Sequence, residues 1–362
     1  MNACRSLRES LEIQDCEPRE WDAFLAKTPG GSYAQTSLWA LAKLAVGYRP
    51  RRFVAAAGDT IVGGAQLLVR RLPIFGAVGY VPLGPVCAEQ DLEVADLVVE
   101  HLHRLANEQR IFYLAVQPPL QQDAFVPRLR SLGFLPSLVN LAPTASVLID
   151  LSKDLDHVLS KMHRATRYGV RASQRKGIRV RDGKKEDLDT FHELLLATAR
   201  RQRFSTIGKH YLYEVWRLFS RGGHIKMFVA EYEGQAVSGA LMMSFADTVT
   251  YWKGCWSGAH GGRYPNESLQ WAAIQWAKAQ GYRYYDLGGI PRTLAKSVLC
   301  GEIIRNFAKD PVAFYKLGFG GQVTLFPEPL AYVYNATLRR IASRFPHLEA
   351  QGQLQGVINR FR

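Results

Sequence analysis

One thirteen-residue pattern occurs twice in this chain: Phe53–Ala65 reads FVAAAGDTIVGGA, and Phe228–Ala240 reads FVAEYEGQAVSGA. Aligned without a gap they agree at Phe, Val, Ala, Val, Gly and Ala, where chance gives about one match. Each copy has the pattern of a β-hairpin, with apolar and β-branched runs on either side of a turn at Gly58-Asp59 or Glu233-Gly234. The elements after each hairpin also repeat. A strand near Val78–Val81, a helix over Leu92–Gln109 and a strand at Ile111–Val116 are matched by a strand at Thr248–Cys255, a helix over Ser268–Gln280 and a strand at Tyr284–Leu287. The repeat predicts an α/β (α+β) protein of two tandem units, each a mixed sheet flanked by helices.

Between the copies the pattern gives a strand at Ala145–Leu151, one basic helix over Asp154–Ser173, a strand at Ile178–Arg181 and helices over Glu186–Gln202 and Tyr211–Phe219. Gly222-Gly223 ends the last of these. After Lys316 come a strand at Gln322–Phe326 and a helix from Leu330 to Arg344, both assigned to the first unit. The predicted domains are therefore 1–145 with 317–362, and 146–316.

Composition narrows the function classes. The net charge is +14, from 46 Lys and Arg against 32 Asp and Glu, which favours polyanionic partners such as nucleic acid, phosphorylated substrates or an anionic membrane face. No apolar run reaches the roughly 18 residues of a membrane span. The polar start, MNACRSLRESLEIQDCEPRE, has no signal-peptide core, so a cytoplasmic location is expected. The five cysteines form no CxxC pair and the histidines no HExxH, so neither disulfides nor a metal site is expected.

The stretch YWKGCWSGAHGGRYPNESLQWAAIQWAKAQGYRYYDLGGI, Tyr251–Ile290, resembles the signature of the Fem aminoacyltransferases. Three further segments agree in order: Gln35-Thr36-Ser37-Leu38-Trp39 with Lys43 beyond it, Tyr80-Val81-Pro82-Leu83-Gly84-Pro85, and Tyr315-Lys316-Leu317-Gly318-Phe319-Gly320. The chain is similar to the short, FemX-like members, which lack a long helical arm. The resemblance implies two tandem acetyltransferase-like (GNAT) domains. It implies transfer of an amino acid from aminoacyl-tRNA to an amine of a peptidoglycan precursor, nucleotide- or lipid-linked, with no cofactor and with peripheral contact to the inner membrane face.

The same resemblance implies roles for single residues. Lys316 falls where a lysine offsets charge on the RNA ester during transfer. Lys43 matches a lysine on the precursor's diphosphate, Tyr211 a tyrosine near the acceptor, and Tyr315 an aromatic beside the catalytic lysine. The chain departs from the family at three places. Gln117 stands where short members carry a carboxylate, Lys253 where they carry a tyrosine, and Ile207 where they carry an arginine, with Arg203 and Lys209 nearby. Gln117 and Lys253 remain candidate substrate contacts.

Read from the residues alone, a lysine beside a glycine turn is a solvated side chain, and Asp286 before Gly288-Gly289 is a loop cap rather than a base. Arg164, Arg167 and Arg171 are spaced to share one helix face, which makes them either a phosphate-binding stripe for a tRNA or a solvated surface. The loop Ala259–Pro265 holds glycines, but not at the Q/R-x-x-G-x-G/A spacing that cradles the coenzyme A pyrophosphate. Two alternatives stay open: acylation of another amine, in a natural product or polysaccharide precursor, from tRNA or acyl-coenzyme A; and a non-catalytic basic protein that binds RNA or lipid.

Overall fold

The computed structural model describes residues 11–73, 76–89, 91–122, 125–137, 139–140, 142–302 and 310–334. The chain divides into two compact units, 1–142 with 326–362, and 143–325.

The first unit carries strands β1 (Leu11–Gln14), β2 (Tyr48–Ala57), β3 (Thr60–Leu72), β4 (Gly76–Val81), β5 (Val86–Cys87), β6 (Ile111–Val116) and β7 (Leu135–Pro136). Its described helices are α1 (Pro18–Lys27), α2 (Ser37–Leu44), α3 (Leu92–Glu108) and α4 (Phe125–Ser131). Asp91 caps α3 by accepting from the Glu93 and Val94 amides, a contact worth about 1 kcal/mol. The helix then lays Val94, Val98, Leu102 and Ala106, spaced by four, onto Phe53, Leu67, Val69 and Leu114 of the sheet. On the opposite face Gln35 ties three segments together. Its amide donates to the Pro82 carbonyl at 2.7 Å and accepts from the Gln66 amide at 2.8 Å, while its own carbonyl accepts from the Trp21 indole at 2.7 Å.

The second unit carries β8 (Ala145–Asp150), β9 (Arg179–Asp182), β10 (Ile225–Tyr232), β11 (Gln235–Phe245), β12 (Thr248–Trp256), β13 (Tyr284–Gly289) and β14 (Gln322–Leu325), in the order β14-β8-β13-β12-β11-β10-β9. Its described helices are α5 (Leu155–Lys161), α6 (Arg164–Ser173), α7 (Leu188–Gln202), α8 (Lys209–Ser220), α9 (Pro265–Ala279), α10 (Arg292–Leu299) and α11 (Pro311–Leu317). From α9, Leu269, Ala273, Ile274 and Ala277 pack with Phe228, Met242 and Tyr285 of the sheet. A Cβ on Gly239 of β11 would stand 2.8 Å from the Phe191 ring of α7, so this glycine sets how closely the helix approaches.

The repeat is visible atom by atom. Phe53 faces Ala65 across β2 and β3, and Phe228 faces Ala240 across β10 and β11. Each hairpin has one extra residue at the same point of the repeat, Val62 in the first and Val237 in the second. Even a bulge, which disrupts a ladder, was kept in both copies.

Three expectations are corrected. The basic segment is two helices, not one: α5 ends at Lys161 with Met162 as its cap, and α6 starts after His163, whose amide donates to the Gly318 carbonyl at 2.8 Å. Gln322–Leu325 pairs with β8 and so stays in the second unit, which ends at 325 rather than 316. Leu330–Val333 is a strand, β15, not the start of a helix; it enters the first sheet between β6 and β7, and 335–344 lies outside the described residues.

The break between α5 and α6 is where the Gly318–Gly320 turn docks. Gly320 has φ +74°, and a Cβ there would stand 2.1 Å from the Lys161 carbonyl oxygen. Gly320→Ala should therefore destabilise the protein by about 3 kcal/mol. Gly262→Ala, which meets nothing within 4 Å, should stay within about 0.5 kcal/mol of the parent. Urea unfolding of the two variants side by side checks the difference.

Candidate active site

The sheet of the second unit opens at one place. β12 runs parallel to β13 for three residue pairs, the last being Thr250 with Asp286. Just beyond, Trp252 is an extra residue of β12 opposite β11. At the same level β13 has an extra residue opposite β8, between Asp286 and Gly289. Two bulges at one level bend both strands and free backbone groups from the ladder. Gly288 takes φ +75°, and a Cβ on it would stand 2.9 Å from the Tyr251 carbonyl oxygen and 3.5 Å from the Lys316 ammonium nitrogen. Only glycine fits there.

Lys316 reaches this opening from α11. Asp310 caps that helix by accepting from the Ala313 amide at 2.9 Å, and Pro311 follows at its first position. One turn on from the buried Ala313, Lys316 points inward and is 9% exposed. Its Nζ donates to the Gly289 carbonyl at 2.7 Å and lies 6.0 Å from the centre of the Tyr251 ring. An ammonium has three N–H groups to offer, and the Gly289 carbonyl takes up one of them. Burial lowers the Lys316 pKa to about 8, against the pull of Asp286 and Asp310.

Asp286 sits half-buried on β13. Its Oδ1 accepts from the Ser146 hydroxyl and from the Gly288 amide, the latter at 2.7 Å. Burial raises its pKa, while Ser146, Gly288 and Lys316 hold the shift in check. Tyr315 donates its hydroxyl to the Asn266 carbonyl at 2.8 Å and meets Phe319 edge-on. Burial pushes the phenols of Tyr251, Tyr285 and Tyr315 up, so all three are neutral donors. The chemistry available is a charged ammonium in a low-dielectric pocket, where its field acts more strongly than in water.

The remaining candidates fall in separate places. Tyr211 is buried on α8 with its ring edge-on to Trp252 at 6.5 Å, and the Lys253 ammonium lies 5.5 Å from the same ring, so both gather at the β12 bulge. Ile207 is buried, Lys209 pairs with Asp189 at 2.8 Å, and Arg203 is exposed in a left-handed conformation. In the first unit the Lys43 ammonium lies 4.7 Å from the Trp39 ring and 5.8 Å from the Tyr48 ring, and Arg70 covers Tyr48 as well. Gln117 has no exposed surface; its backbone joins Val81 and Gly84, which makes it a seam residue rather than a ligand contact.

The arginine stripe is also revised. Arg167 donates to the Ser160 and Met162 carbonyls at 2.9 and 3.2 Å, fastening the end of α5. Arg164 and Arg171 are exposed, and Tyr168, 53% exposed, lies between them on the same helical face with Arg175 beyond.

Three backbone amides of the loop 257–264 are bonded within it. Ala259 donates to the Ser257 hydroxyl, Arg263 to the His260 carbonyl and Tyr264 to the Gly261 carbonyl, while Pro265 has no N–H. Lys176 closes the loop by donating to the Gly262 carbonyl at 2.7 Å. Among the described residues no three His, Cys, Asp or Glu side chains gather to hold a metal ion, and no helix is long and apolar enough to cross a membrane.

Sequence reasoning missed Ser146, which lies 140 positions from Asp286 and carried no local signal. Tyr251 and Asn266 lay inside the signature stretch without being singled out. Arg70 was legible only as one of several basic residues on the first hairpin.

Residues 16–130 match the FemAB family, and residues 160–294 match the acetyltransferase (GNAT) domain. The chain is 24% identical over 238 residues to a lipid II:glycine glycyltransferase of Staphylococcus haemolyticus (strain JCSC1435), covering 63% of this chain and 57% of that protein. The same enzyme of Staphylococcus aureus (strain MRSA252) gives 24% identity over 234 residues, 62% of this chain and 56% of the relative. The chain thus spans a little over half the length of these curated relatives. Among solved structures it superposes on FemX with a TM-score of 0.79 at 19% identity, over 91% of this chain and 99% of the other. A tandem GNAT protein from the clavulanic acid biosynthesis pathway gives a TM-score of 0.55 at 12% identity, over 90% and 99%. With the FemAB model matched on its first unit and the GNAT domain on its second, the chain has the tandem acetyltransferase fold of the FemX structure.

Proposed function

We propose that the chain is an aminoacyltransferase that moves an amino acid from aminoacyl-tRNA to an amine of a peptidoglycan precursor. The observation that carries the reading is the buried Lys316 ammonium at the double bulge of the second unit. An aminoacyl ester is already activated, so transfer needs positioning and charge stabilisation more than a nucleophile. The neutral acceptor amine attacks the ester carbonyl, forming a C–N bond. The C–O bond to the ribose then breaks, and the amine's proton leaves with the ribose oxygen. Lys316 holds the negative charge that develops on the way. Tyr315 orients α11 through Asn266, and Tyr211 and Lys253 line the Trp252 side of the opening as acceptor contacts.

Two basic surfaces fit the substrates' phosphates. Arg164 and Arg171 of α6, with Arg175 and the Tyr168 ring, fit the RNA backbone. Lys43 and Arg70, both over Tyr48, fit the diphosphate of a nucleotide- or lipid-linked precursor. A lipid-linked acceptor would bring the protein to the inner face of the plasma membrane. The glycine spacing of Ala259–Pro265, which departs from the Q/R-x-x-G-x-G/A cradle, favours an RNA ester over coenzyme A as donor. Transfer of labelled amino acid from charged tRNA onto a precursor is the direct test; saturable micromolar coenzyme A binding at that loop, with no transfer from tRNA, would overturn the reading.

The ammonium form of Lys316 is the active one, and it is lost as pH rises through about 8. The kcat/KM profile should therefore fall on the alkaline side near pH 8 rather than near 10.5. Lys316→Met should lower kcat at least about tenfold at neutral pH, keep the fold, and abolish that limb.

Reversing two exposed charges, Arg164→Glu with Arg171→Glu, should weaken tRNA binding and reduce the slope of log Kd against log salt by about 1.5. Arg167→Ala should instead lower stability and leave the slope unchanged, because its guanidinium is committed to the Ser160 and Met162 carbonyls. Equal slopes for the parent and the double variant would return the α6 surface to solvent.

A further inference from the structure

We propose that Asp286 is the positioning residue of this site: anchored by the Ser146 hydroxyl and the Gly288 amide, it shapes the turn that presents the Gly289 carbonyl to Lys316 and supplies the counter-charge that keeps the buried ammonium protonated. The inference rests on the role given to Lys316 above.

Geometry places Asp286 at the root of the turn. It is the last residue of β13 that pairs with β12, and the extra residue of the strand follows it directly. Its Oδ1 receives the Gly288 amide at 2.7 Å, which closes a turn two residues long and fixes Gly288 at φ +75°. That turn leaves the Gly289 carbonyl 2.7 Å from Lys316 Nζ. Ser146, from the neighbouring strand β8, donates to the same oxygen and keeps the carboxylate from rotating away. Without Asp286 the turn would lose its internal acceptor and the lysine its fixed partner.

Electrostatics gives the same carboxylate a second role. The groups facing Lys316 are Asp286 from β13, Asp310 from the start of α11, and Tyr251 from β12. Tyr315 on α11 interacts in turn with Tyr251, Tyr285 and Glu267 of α9. Burial keeps the three phenols neutral, and it raises the pKa of Glu267. Asp286 is the stronger of the two carboxylates that oppose the desolvation of Lys316, and Asp310 the weaker. Taking away the Asp286 charge disfavours the ammonium, so the Lys316 pKa moves further down, away from 10.5 and below about 8.

Asp286→Asn separates the two roles, because the amide oxygen can still accept from Gly288 and Ser146 while the charge is gone. The titration of Lys316 is followed by NMR on the full chain labelled with 13C at lysine Cε, with Lys316→Met identifying the signal. The expected result is a midpoint lower by about one pH unit or more in Asp286→Asn, and a smaller drop in Asp310→Asn. The alkaline limb of kcat/KM should move with the midpoint while KM stays the same. If Asp286→Asn does not fold, Asp310→Asn alone still tests the proposal, because a drop of one pH unit or more there assigns the main counter-charge to Asp310 and overturns it. An unchanged midpoint in the folded variant, or a larger drop in Asp310→Asn, overturns the proposal. The NMR titration needs no substrate. Failure of tRNA-dependent transfer would therefore sink the proposed reaction alone, whereas an unshifted midpoint in an active Asp286→Asn enzyme would sink only this inference.

Discussion

An ammonium group with 9% of its residue exposed is the constraint around which the second unit is arranged. Taking a lysine out of water disfavours its charge, and the protein offsets this with one carbonyl and two carboxylates. The carbonyl is within the lysine's reach because β13 no longer pairs with β12 beyond Thr250 and Asp286. The bulge of β13 in turn requires Gly288, since any side chain there would strike the Tyr251 carbonyl. A single buried charge thus accounts for a strand irregularity, a glycine and a carboxylate that would otherwise look unrelated.

The two copies show how one fold was put to different uses. In the first, β4 and β6 pair in parallel over five residue pairs to Val81 with Val116. Gln117 then extends the seam by donating its amide to Val81 and accepting from Gly84. In the second, the corresponding strands part after three pairs. Both hairpins keep the valine bulge, so the frame was conserved while the opening was not. A closed seam satisfies every backbone group at little cost, whereas an open one needs a compensating partner, and Lys316 is that partner in the second unit.

Glycine and arginine positions illustrate how local patterns mislead when a distant segment intervenes. The segment 154–173 has helical periodicity throughout, yet it breaks at Met162-His163 because Gly318–Gly320 docks there from far along the chain. Arg167 has the spacing of a surface stripe, yet it turns inward because the break leaves carbonyls that need a donor. The tail reads as helix from Leu330, yet Leu330–Val333 fills the gap between β6 and β7 and becomes a strand.

The sequence by itself determined the duplication, most of the element order of both units and the family resemblance, because a repeated hairpin and an apolar period are local properties. It also pointed to Lys316, through the segment Tyr315–Gly320. What only the tertiary structure decided is why that lysine differs from any other. Its Gly289 carbonyl is 27 positions away and the Ser146 anchor of Asp286 is 140 positions from that carboxylate, so no window of sequence contains the site. Burial and charge coupling arise only when β8, β12, β13 and α11 meet, and they set the lysine's proton affinity.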